Sequence, residues 1–175
     1  MAYWLQECPS CGYSAGSIYE IHPEAKAVME SDAFQSLRTA PLGGTLTGRF
    51  LKASLLDEAS NDLGSAADHA LCAAWAADDV GDNDGARQYR DRSADLFLKS
   101  LNDADETSEE TIITKTRLVD ILRRANRWEE AKEIASELLR QDLDPTIRSV
   151  ITFEQAAIDN QDDLAHTVAQ AVGDK

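Results

Sequence analysis

The pattern of apolar and polar positions changes character at Pro23. Before it, Tyr3, Trp4, Tyr13 and Tyr19 surround the Pro/Gly turn Cys8-Pro9-Ser10-Cys11-Gly12, which predicts a short β-hairpin or knuckle. After it, apolar residues recur at helical spacing. Pro23 suits a first helical position, with Ala25, Val28, Met29 and Ala33 toward a core. Thr39-Ala40-Pro41-Leu42-Gly43-Gly44 then breaks the chain. A helix is predicted over 46–63, with Leu51, Leu55, Ala59 and Leu63 on one face and Gly64 just past its end. Helix 65–80 is crowded with Ala around Leu71, Cys72 and Trp75, and Gly81-Asp82-Asn83-Asp84-Gly85 turns the chain into helix 86–101. The acidic stretch 102–110, with Asp103, Asp105 and Glu106, reads as an exposed loop. Helices follow at 111–125, 128–141 and 146–159, the last opened by Pro145. Leu164, Ala165, Val168, Ala169 and Val172 mark a final one.

One pattern recurs at a fixed distance. Asn126-Arg127-Trp128-Glu129-Glu130-Ala131 is matched 34 positions later by Asn160-Gln161-Asp162-Asp163-Leu164-Ala165. Each places a turn-forming Asn five residues before an Ala, and Gly81 and Ala86 repeat that offset. Ala86 and Ala131 are 45 apart, which implies an insertion of about 11 residues at the acidic loop. The expected organisation is a knuckle over 1–22, leading helices over 23–64, and three helix pairs over 65–175.

The 175 residues suit one domain with a small appendage, and 43% hydrophobic with 28% charged residues is ordinary for a folded protein. A formal charge of −15 leaves no phosphate-neutralising surplus, which argues against nucleic acid and anionic membranes and favours a basic partner. The longest apolar run, 70–77, is too short to span a bilayer, and residues 1–20 lack a basic start and a long apolar core, so a cytoplasmic protein without a signal peptide is expected. Three cysteines do not make a disulfide framework.

The chemistry-bearing residues are few. Cys8 and Cys11, separated by two residues, can grip one tetrahedral ion but supply only two of four ligands. His69 and Cys72 share a helix face and are candidates to complete a zinc site, with His22 as another. A zinc shared between two chains of a homodimer is the other route. A thiol-redox role for Cys8 and Cys11 lacks the strand–helix context in which a helix N-terminus activates such pairs. Cys72 also reads as a small core residue. Arg117, Arg123 and Arg124 form a candidate carboxylate-binding patch for a peptide, although cations at the end of helix 111–125 also complement its dipole. Asp82-Asn83-Asp84-Gly85 has the wrong residues for a calcium loop and reads as a polar turn. No Ser/His/Asp or clustered-carboxylate constellation suggests an enzyme.

Leu122 through Ala131 resembles the turn and second helix of a tetratricopeptide repeat, with Val119 where a small residue is usual and with departures at Arg90 and Ser93 in the first repeat. Cys8-Pro9-Ser10-Cys11-Gly12-Tyr13 resembles the metal-binding turn of zinc ribbons and rubredoxins. Together they are similar to an uncharacterised bacterial family that pairs a zinc-ribbon-like segment with such repeats. The resemblance implies an all-α, right-handed helical-repeat solenoid with a small N-terminal knuckle. It also implies a non-enzymatic adaptor that binds a protein or peptide in its concave face. The alternative is a zinc-dependent regulatory or thiol-redox module organised by Cys8 and Cys11.

Overall fold

The computed structural model describes residues 5–39, 41–102 and 104–173. Tyr3, Trp4, Ala40 and Asp103, which the sequence reading used, lie outside them. The described residues are mostly helical, with nine helices and one two-stranded hairpin. The chain divides into two compact units, Met1–Lys99 and Ser100–Lys175. That division falls inside the stretch expected to be one array of helix pairs.

The first unit begins with β1 (Gln6–Glu7) and β2 (Ser14–Ala15), which pair antiparallel with Gln6 opposite Ala15. Leu5 joins one buried cluster with Phe50, Leu51, Cys72 and Ala73, while Tyr13 and Ala15 join another with Ala25 and Leu56. Helices α1 (Ala25–Glu30) and α2 (Asp32–Arg38) follow, separated by Ser31, whose side chain caps α2 through the Phe34 amide. Phe34 is fully buried, whereas Ala33, expected toward the core, is exposed.

Helix α3 (Leu46–Ala59) ends four residues earlier than expected. Asn61, not Gly64, takes the left-handed conformation that reverses the chain, at φ 60. Ala59 is therefore exposed and Leu63 starts the next helix, α4 (Leu63–Asp78). Two serines show how closely α4 is approached. Ser54 Oγ on α3 donates to the Ala66 carbonyl at 2.8 Å, and Ser93 Oγ on α5 (Asn83–Ser100) donates to the Ala67 carbonyl at 2.9 Å. Alanine along α4 leaves room for both contacts. Ser93 and Arg90, which departed from the repeat pattern, thus have structural tasks, Arg90 being ion-paired to Asp78. Trp75 is 37% exposed rather than part of the core.

The second unit contains α6 (Glu109–Arg124), α7 (Trp128–Leu139), α8 (Pro145–Asp159) and α9 (Val168–Val172). Its core is Leu118, Val119, Leu122, Ala131, Ala135, Leu138 and Ile151. Asp144 caps α8 through the Thr146 amide at 2.8 Å, with Pro145 in the first turn. The last helix is much shorter than predicted. Leu164 and Ala165 lie before it, Leu164 is 67% exposed, and α9 has no buried residue.

The same turn joins helices at four places. Asn61, Gly81, Asn126 and Gln161 all have positive φ. In each case the next residue's amide reaches back five positions to a carbonyl: Asp62 to Asp57, Asp82 to Ala77, Arg127 to Leu122 and Asp162 to Ala157. At the first three turns an Ala five positions on (Ala66, Ala86, Ala131) is fully buried at the start of the new helix. The structural match to Asn126 is therefore Gln161, 35 positions on, not Asn160.

Candidate functional site

The Cys8–Gly12 turn is closed by two backbone bonds, Gly12 N–H to the Cys8 carbonyl at 2.9 Å and Cys8 N–H to the Tyr13 carbonyl at 2.8 Å. Gly12 adopts φ 77, a conformation that L side chains rarely take. The hairpin is fixed to α3 by Glu7, whose Oε2 accepts from the buried Lys52 Nζ at 3.0 Å and lies 3.2 Å from Arg49 Nε. Cys8 and Cys11 are half-buried and pack beside Tyr13, Ala15, Ala25 and Leu56.

The Ser10 hydroxyl sits 3.1 Å from Cys8 Sγ. That hydroxyl, the amide N–H groups of Cys11 and Ser10, and the Cys11 thiol hold the Cys8 thiol down to about 6 against a slight opposing effect of burial. Helix N-termini commonly supply this activation, and here a tight turn does so instead.

The other expected metal ligands are placed elsewhere. His69 Nδ1 hydrogen-bonds Asp57 Oδ2 at 2.5 Å, and His22 Nε2 lies 3.8 Å from Asp57 Oδ1 on the other side. His22 Nδ1 also bonds the Ser60 hydroxyl at 3.1 Å. Both imidazoles thus converge on Asp57, which no motif in the sequence marks. Cys72 is buried in the Phe50 cluster, apart from the one that Cys8 and Cys11 touch. Among the described residues, no group of three or more His, Cys, Asp or Glu is placed to hold a metal ion.

The arginine patch does not gather as expected. Arg117 is exposed and Arg124 half-buried, but Arg123 is fully buried. Its Nε donates to Glu154 Oε2 at 2.6 Å, Nη1 to the carbonyls of Asp162 at 2.5 Å and Leu164 at 2.9 Å, and Nη2 to Asp120 at 2.7 Å. Its donors are taken up inside the unit, so it is unavailable to a peptide carboxylate. Burial pushes the Glu154 carboxyl up and the Asp120 charge adds to this, while Arg123 and His166 pull it down.

The same unit carries a surface groove of about 410 Å³ along α7, lined by Glu129, Lys132, Glu133, Ser136, Glu137 and Arg140. A neighbouring pocket of about 270 Å³ is lined by Trp128, Glu129, Lys132, Ile158, Asp159, Asn160 and Gln161. Glu129, Glu133 and Glu137 stand at four-residue intervals and so share one helix face. Lys132 pairs with Asp159 at 2.6 Å, and Lys115 reaches Glu137 at 3.4 Å as well as Glu106. Glu130 lies beside this stripe, and its carboxyl is lowered by the Arg127 guanidinium it binds. The spacing of these glutamates was present in the sequence, but a helical face alone did not show a groove. Among the described residues, no helix is long and apolar enough to cross a membrane. Comparison with protein-family models, curated proteins and solved structures finds no match.

Proposed function

We propose that this protein is a non-catalytic adaptor whose helix pairs are of the tetratricopeptide type, and that it binds a basic protein or peptide segment along α7. The observation that carries this reading is the groove beside Glu129, Glu133 and Glu137, continued by the pocket at Trp128. Carboxylates spaced along one face suit Lys or Arg side chains of an extended or helical segment. An indole at the end of such a stripe adds apolar and cation–π contact. The formal charge of −15 has the same sign and would speed encounter with a basic partner. The repeat assignment draws support from the recurring turn at Asn61, Gly81, Asn126 and Gln161, and bacterial origin and a cytoplasmic location belong to the same proposal.

The test is fluorescence anisotropy of the full chain against labelled Lys/Arg-rich and Asp/Glu-rich peptides of equal length. Binding of the basic set alone, weakened at least tenfold by Glu133→Lys and by Trp128→Ala with unchanged circular dichroism, is expected. Equal binding of both sets, or variants that bind as well as the parent, would sink the groove assignment.

Zinc-dependent regulation is the second reading, and the knuckle is the observation that favours it. Cys8 and Cys11 offer two thiol ligands, and the described residues do not gather the other two. A site of this kind would take its remaining ligands from a second chain. Native mass spectrometry of protein purified without chelator tests this directly: one zinc per dimer supports it, and a metal-free monomer rejects it.

A further inference from the structure

The recess at the start of α7 lies wholly within the second unit. Its volume of about 270 Å³ is below the ~300–1,000 Å³ of sites for drug-sized ligands and suits a single side chain. Trp128 lines it, and of its charged residues Glu129 and Asp159 are carboxylates while Lys132 is an ammonium. The carboxylates therefore outnumber the ammonium. Ile158 and Asp159, at the C-terminal end of α8, also line it, so the negative end of that helix dipole borders the recess. The positive end of α7, about half a charge, lies here too, but Glu129 in its first turn outweighs it.

A cation already sits in this setting. Lys132 Nζ is 2.6 Å from Asp159 Oδ1, and Asp159 first, then Glu129, favour the charged form of that amine. The two side chains are 50% and 54% exposed, so the pair is weak and a better ligand can displace it. Lys132 also lines the adjoining groove along α7, which gives its flexible stem room to move. Lys115, by contrast, is 10% exposed and held by Glu106 and Glu137 together. Lysine and arginine do not compete equally for such a recess. A partner's ammonium would merely exchange with Lys132. A guanidinium is planar and less strongly hydrated, forks onto carboxylate oxygens and stacks on an indole.

We infer that the Trp128 recess reads an arginine side chain of the partner, and that Lys132 is its resident placeholder. The incoming arginine displaces Lys132 from Asp159, forks onto that carboxylate and lies against the Trp128 indole. Lys132 turns into the adjoining groove. This role rests on the reading of α7 as the face that takes a basic segment, and it narrows the partner from basic to arginine-bearing.

The experiment measures the anisotropy of two labelled peptides of equal length and charge, one carrying arginines and the other lysines, with the full chain. The parent should bind the arginine peptide about fivefold more tightly. Lys132→Gln should raise arginine-peptide affinity by up to about fivefold, the most that an exposed ion pair withholds. Lys26→Gln, the same charge change on α1, should raise it less than about twofold. Asp159→Asn should abolish both the arginine preference and the gain from Lys132→Gln, with circular dichroism unchanged. Equal affinity for the two peptides, with Glu133→Lys still weakening both, would overturn the arginine recess and leave the α7 reading standing. A gain from Lys132→Gln that matches Lys26→Gln, or that survives Asp159→Asn, would overturn the placeholder role. Binding of neither peptide by any variant would overturn the α7 reading and this role together.

Discussion

Arg123 shows how far one side chain can depart from its usual role. A cation in the last turn of a helix commonly faces water and complements the dipole. This one is enclosed, with Glu154, Asp120 and two backbone carbonyls around it. Removing one partner of a buried pair leaves the other uncompensated, at a cost of roughly 3–5 kcal/mol. Arg123→Ala should lose about that much in urea denaturation, and Arg123→Glu more, because it would set a third carboxylate beside Glu154 and Asp120. Arg123→Glu is accordingly unfit as a binding probe. The sequence showed only the place of Arg123 near the end of helix 111–125. Apart from Asp120, three positions back, its partners stand 31 to 41 positions away, and no periodicity links them.

Two groups make the residue scale visible in pH. The Cys8 thiol is lowered to about 6, so its alkylation by iodoacetamide should be half-maximal near that pH, against about 8.5 for an ordinary cysteine. Ser10→Ala should move the midpoint upward. The Asp162 carboxyl is lowered by the Leu164 amide it accepts from and, after that, by His166. A depressed carboxyl contributes stability above its unfolded value, near 4, and loses it as pH falls through the folded one. The Leu164 amide resonance should therefore titrate below about pH 4, and a resonance that does not move down to about pH 2 would reject the bond.

At the scale of elements, the recurring turn explains what the repeat pattern captured and where it slipped. The left-handed residue reverses the chain, and five positions later the new helix faces its neighbour, where only a small side chain fits. Asn61 and Ala66 follow the same rule, although the sequence reading did not include them. Asparagine takes the left-handed conformation more readily than glutamine, which is why Asn160 drew the alignment away from Gln161. At this fourth turn the fifth residue is His166, and Asp162 binds the Leu164 amide and His166 instead of capping a helix at once. Helix α9 begins only at Val168. Two outcomes follow from this geometry. Gln161→Gly should stabilise the protein by about 1 kcal/mol by relieving the backbone penalty. Ala131→Leu should destabilise it by roughly 1–3 kcal/mol through overpacking between α6 and α7. Thermal and urea unfolding check both.

Across the whole molecule, the predominance of helix was legible because amphipathic spacing is local. The division at residue 99 was not, because it depends on which helices choose each other. Charge acts at this scale too. Fifteen uncompensated negative charges repel one another. Raising salt from about 10 to about 150 mM shortens the screening length from roughly 30 to 8 Å. The melting temperature should rise over that range, while affinity for a basic peptide should fall. A melting temperature that drops with salt would mean that specific ion pairs outweigh the net repulsion.

The Arg123 enclosure also sets a schedule. Its partners arrive in the order Asp120, Glu154, then the carbonyls of Asp162 and Leu164, the last lying 41 residues downstream. During synthesis α6, α7 and most of α8 can emerge and collapse with a guanidinium still looking for acceptors. Only when Leu164 has left the ribosome can that charge be sealed in. Every nascent chain of the second unit thus passes through a stage in which its core contains an unfinished cation, and the C-terminal segment completes it.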